Sequence, residues 1–67
     1  MCNRIHFKDA KQAQGVASLL KMRGYFVGTI SNGCSFENGL ILEVGESAFD
    51  FALQVCDAFE FIATIEG

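Results

Sequence analysis

Along these 67 residues the spacing of apolar side chains switches from two to three-and-four and back, twice over. A change of period is a change of secondary structure, because a strand alternates its faces and a helix returns to one face every three or four residues. In "NRIHFK", residues 3–8, Ile5 and Phe7 point one way and Arg4, His6 and Lys8 the other, which predicts a half-buried strand. Asp9, with Gln12 three residues on, is a capping-box pattern. Ala13, Val16, Ala17 and Leu20 then recur at helical spacing. Lys21 and Arg23 suit the negative end of a helix, and Gly24 supplies a left-handed stop, so a helix is expected over residues 10–23.

"YFVGTIS", residues 25–31, and "GLILEV", residues 39–44, are rich in β-formers and read as the second and third strands. Ser47 and Asp50 repeat a capping pattern. It introduces a helix with Phe49, Ala52, Leu53 and Cys56 on its apolar face and Phe51 and Val55 on the flank. After Asp57 alternation returns, with Phe61, Ala63 and Ile65 on one side and Ile62 and Thr64 on the other, which predicts a last strand.

The order β-α-β-β-α-β, closed by right-handed crossovers, gives a four-stranded antiparallel sheet with two helices on one face. The expected fold is therefore α+β, a two-layer ferredoxin-like sandwich forming one domain over residues 1–67. A helical last segment would give β-α-β-β-β-α instead. Ile5, Phe7, Leu20, Leu42, Phe49, Leu53 and Ile65 are expected to share one core. A chain this short buries only ~60% of its unfolded surface. A composition that is 51% hydrophobic, with seven phenylalanines, meets that need.

Between the second and third strands lies "ISNGCSFENG", residues 30–39. A phosphate-binding loop needs Lys followed by Ser or Thr, and then a helix; here a strand follows. A calcium loop needs several acids, and only Glu37 is present. Two Asn-Gly pairs instead suit hairpin turns, either in one wide hairpin or with "CSFE" as a short extra strand. Phe36, large and apolar within a turn, either folds onto the core or meets a partner.

Chemical sites are scarce. His6 is the one histidine, and the cations Arg4 and Lys8 share its face with Cys2, so no metal site is expected. His6 reads as an exposed strand residue. Cys34 would need His6 as its base, and no third orienting group is evident. No catalytic residue, cofactor or metal is expected, and the chain reads as a non-enzyme. Three widely spaced cysteines, Cys2, Cys34 and Cys56, read as reduced thiols. With no apolar run near the ~20 residues of a membrane span, and no signal-like start, a cytoplasmic setting without membrane contact is expected.

"QGV", residues 14–16, and "GTISN", residues 28–32, resemble two motifs of the acylphosphatases, which share the same element order. The resemblance would make Asn32 the catalytic asparagine. The position of that family's phosphate-binding arginine is held here by Leu19, so the likeness implies the fold and not the activity.

Charge is partitioned. All five cations lie within the first 23 residues, and from Glu37 onward there are seven acids and no Lys or Arg. The net charge of −3 opposes phosphate, so nucleic acid is discounted as a partner. Two function classes remain. The first is a non-catalytic protein-binding module that docks on a basic surface as an inhibitor, adaptor or regulatory subunit, by analogy with phage-encoded inhibitors of host nucleic-acid enzymes. Its contact residues would be the stripe Glu46, Asp50, Asp57 and Glu60, with Phe36 and an open-face patch of Tyr25, Val27, Ile41 and Ile62 that also suits a homodimer. The alternative is a domain that senses a small molecule at a homodimer interface.

Overall fold

The computed structural model describes residues 2–66. Six elements follow in order: β1 (Cys2–Phe7), α1 (Ala10–Met22), β2 (Val27–Ile30), β3 (Leu40–Gly45), α2 (Glu46–Phe59) and β4 (Ala63–Glu66). The strands make one antiparallel sheet in the order β2-β3-β1-β4. Ile5 and Phe7 of β1 and Leu42 and Val44 of β3 share a core with the inward residues of both helices. The result is the two-layer α+β sandwich with the ferredoxin-like element order.

Local signals set most of the boundaries. The Asp9 carboxylate caps α1 by accepting the Lys11 N–H at 2.8 Å. Gly24, at φ 85°, follows the helix and donates its N–H to the Lys21 carbonyl at 3.0 Å. Ala13, Val16, Ala17 and Leu20 face inward, as their spacing predicts.

The second helix departs from expectation. β3 runs directly into α2, so the cap is Gly45, which makes no side-chain bond, and the Ser47–Asp50 pair falls inside the helix. The face buried by α2 is Ala48, Ala52, Val55 and Cys56. These small side chains let the helix lie close to the sheet and turn Phe49, Phe51 and Leu53 to its half-buried margins. Of the expected core, Ile5, Phe7, Leu20 and Leu42 are buried and Phe49 packs against the cluster. Leu53 is at the rim, and Ile65 is 48% exposed because β4 lies at the sheet edge, beyond the cover of α2.

The face opposite the helices also differs from its expected form. Val27 pairs with Val44 and Ile30 with Ile41, which sets Val27 on the helix side, packed against the core. Tyr25 precedes the strand and packs there too, its ring centroid 6.2 Å from that of Phe51. Neither belongs to the open face. Ile41 does, and it is only 3% exposed. Residues 31–39 form no strand and fold back over this end of the sheet. Gly33 (φ 83°) and Asn38 (φ 62°) are left-handed, one from each Asn-Gly pair, so neither pair makes a two-residue hairpin turn.

Candidate functional site

The covered end of the open face is built around His6. Contrary to its reading as an exposed residue, it is 3% exposed. The Ser35 N–H donates to its Nδ1 at 3.0 Å, and Ser35 Oγ lies 3.0 Å from the same nitrogen. Accepting an amide proton at Nδ1 fixes the neutral ring as the tautomer that carries hydrogen on Nε2. Cys34 Sγ turns instead to the Phe7 carbonyl, 3.7 Å away, so the histidine meets the serine and not the cysteine. A lone pair already shared with an amide N–H is a poor base for the hydroxyl beside it. The pair is best suited to fastening the 31–39 connection onto β1. Farther along the same face Arg4 Nε bonds Glu43 Oε2 at 3.2 Å. Among the described residues no group of three His, Cys, Asp or Glu is placed to hold a metal.

The predicted acidic residues gather on α2. Glu46, Asp50, Asp57 and Glu60 are all exposed, on the helix or at its C-cap. Two of them sit against local preference. Asp57 lies in the last turn, where a carboxylate opposes the helix dipole, and that turn has no basic residue to offset it. Glu60 is left-handed at φ 57°, a conformation that favours glycine. Its N–H bonds the Asp57 carbonyl and the next N–H, of Phe61, bonds the Cys56 carbonyl, so the turn ends α2 abruptly and sends the chain into β4.

That turn opens a cleft of about 370 Å³ between α2 and β4. Leu53, Phe61, Ala63 and Ile65 give it an apolar floor, with Asp57 and Glu60 on its wall. Glu60 also borders a second cleft, which holds Lys8, Asp9 and Ile62. Burial pushes the thiol of Cys56, beneath the first cleft, above its ordinary value. Cys34 and Cys56 are free thiols, and the side chain of Cys2 lies outside the described part.

The predicted contact residues thus divide. Asp57 and Glu60 come together on one cleft, and the exposed Ile62 shares the neighbouring cleft with Glu60 only. Glu46 and Asp50 lie farther along α2, Phe36 is half-buried in the connection, and Tyr25, Val27 and Ile41 are packed away. Of the apolar residues beside the acids, helical spacing assigns Leu53 to the core and strand alternation assigns Ile65 to it. Only the strand order shows that Ile65 lies at an edge. Sequence reasoning also missed a third, mainly apolar groove between the helices, where Gly15, Leu19, Val55, Phe59 and Phe61, with Lys11 and Gln12, line about 360 Å³. The Phe59 and Phe61 rings stack at its end, 5.5 Å apart. Its one signal was Leu19 and Phe59 standing off the inward stripes of their helices. Among the described residues, no helix is long and apolar enough to cross a membrane. No family model, curated protein or solved structure matches the chain.

Proposed function

We propose that this protein is a non-catalytic binding module that docks on a basic surface of another protein through Asp57, Glu60 and the cleft they flank, as an inhibitor, adaptor or regulatory subunit. The supporting observation is the left-handed Glu60 beside an Asp57 that opposes its own helix dipole. Glycine would suit the first position better and a cation the second. Two acids that cost stability, on one cleft with half-buried apolar side chains and the exposed Ile65, are what a charge-selective contact needs and a folding core does not. The setting we propose is the cytoplasm, where the free thiols Cys34 and Cys56 remain reduced.

The test is affinity capture with the wild-type chain and with Asp57→Lys/Glu60→Lys, at low and high salt. Capture by the wild type should weaken as salt screens the contact, mainly through a slower on-rate, and the reversed pair should abolish it. Unchanged capture with unchanged salt dependence would make the stripe a solvated helix face.

A further inference from the structure

Among the described residues, β4 is paired on one side only, with β1. Its register on β1 sets Ile65 opposite Ile5 and Ala63 opposite Phe7. One step further, Lys8 N–H donates to the Ile62 carbonyl at 3.1 Å. In an antiparallel ladder such bonded pairs alternate with unbonded ones. Ile62 and Thr64 therefore turn their N–H and C=O groups toward β1, and Ala63 and Ile65 turn theirs away from the sheet. The same two residues line the α2–β4 cleft with their side chains. Outward main-chain groups and an acid-walled apolar cleft thus belong to one edge.

We infer that β4 is a strand-addition site, at which an extended segment of the partner protein pairs with Ala63 and Ile65 and carries Lys or Arg at alternate positions. The inference rests on the docking reading above and supplies its geometry. A strand bonded to Ala63 and Ile65 sets the residues opposite them on the same side of the sheet, over the cleft. A Lys or Arg there lays its stem on Leu53 and Ile65 and brings its charge to Asp57 and Glu60. The intervening residues face the other side, beside the exposed Ile62 and Thr64, where β-branched apolar side chains fit.

Charge selects the occupant. Pairing β4 with β4 of a second copy would set Asp57 and Glu60 against their own kind, which disfavours self-association here. It also selects the edge. Beside β2, the other outer strand, the cleft holds Phe26, Val27 and Gly28 with one carboxylate, Glu43, already bonded to Arg4. Residues 63–66 contain no Lys or Pro, two of the devices that blunt an edge.

The experiment uses the full chain and the peptide acetyl-Lys-Val-Lys-Val-Lys-Val-Lys-amide, with two relatives N-methylated on all lysines or on all valines. Binding is followed by titration and by hydrogen exchange of the Ala63 and Ile65 amides. The parent peptide should bind and protect both amides. Methylating the set that faces β4 should weaken binding by about tenfold or more, and methylating the other set should do much less. Ile65→Pro removes an outward N–H and leaves the bonds to β1 in place, so it should weaken binding comparably while the chain stays folded. Asp57→Lys/Glu60→Lys should also weaken it. Equal effects of the two methylated sets, or no protection at Ala63 and Ile65, overturn strand addition; if charge reversal still weakens binding, the docking reading survives. Binding indifferent to charge reversal sinks both, and no binding of the parent peptide overturns strand addition. Should Ile65→Pro unfold the chain, the methylated pair on the wild type decides.

Discussion

Replacing Gly39 by alanine tests how the 31–39 connection is held. A Cβ at this position would overlap the Phe7 carbonyl oxygen and lie 2.8 Å from Cys34 Sγ and 3.1 Å from Phe36 Cβ. The thiol can shift, and the Phe36 Cβ can give a little with its own backbone. The carbonyl cannot, because Phe7 is held in the ladder between β1 and β3, opposite Leu40. Two responses are open. If the connection stays down, overpacking costs about 1–3 kcal/mol. If it lifts, the Ser35–His6 bond is lost, worth about 1 kcal/mol. Partial exposure of Ile41 then adds about 1–2 of the ~1.5–3 kcal/mol that burying such a side chain brings. The first response therefore predicts a loss of about 1–3 kcal/mol and the second about 2–3 kcal/mol, which is large for a domain whose total stability is of order 3–10 kcal/mol. The midpoint of thermal unfolding should fall by about 5–20 °C. Urea unfolding with an unchanged slope measures the loss, and reaction of Cys34 with a thiol reagent under native conditions separates the two responses, since lifting frees a thiol that is half-buried in the parent. A variant within about 0.5 kcal/mol of the parent, with Cys34 no more reactive, would refute the close approach of Gly39 to β1.

Leu42→Ala, at a fully buried site, should cost about 2–5 kcal/mol, and Leu53→Ala, at the rim of the cleft, no more than about 1–2 kcal/mol; chemical denaturation of both checks the assignment of the α2 face. Glu60→Gly relieves a left-handed non-glycine residue and should raise stability by about 0.5–1 kcal/mol in the same assay. It should also weaken partner capture, and a loss of stability would show that the conformation carries no strain. Because burial raises the Cys56 thiol, the folded state holds that proton more tightly than the unfolded chain does. Its contribution is complete below the unfolded thiol value and is lost as pH climbs through the raised folded value, so Cys56→Ala should flatten the alkaline decline in stability measured by urea unfolding at successive pH values.

The order of the elements was legible because each rests on local chemistry: the Asp9 cap, the Gly24 stop, the alternation through Ile5 and Phe7. What stayed hidden depended on contacts between distant residues. His6 falls on the solvent side by alternation, and nothing within β1 announces that Ser35 will cover it. β2 has apolar residues at both parities, Val27 and Ile30, so its phase was set by pairing with Val44 and Ile41 and could not be read from four residues. The segment 48–53 is apolar at every position but Asp50, and such a run gives no single inward face. Close packing on the sheet chose Ala48 and Ala52 over Phe49 and Leu53. The acidic residues were found because charge shows in sequence. The cleft beside them was not, because an edge is a property of strand order.

The place of β1 between β3 and β4 has a consequence for how the chain is made. Residues emerge from the ribosome in order, and β1 comes first, yet its two neighbours begin at Leu40 and Ala63. Until those residues have emerged, the strand that will be the centre of the sheet, bearing Ile5 and Phe7, has no partner on either side. Once β3 and α2 have emerged, β1 is briefly an outer strand with its hydrogen-bonding edge open to any other nascent chain. Arg4 and Lys8 are well placed for that interval, because charged side chains along an unpaired strand discourage aggregation until residues 63–66 arrive to close it.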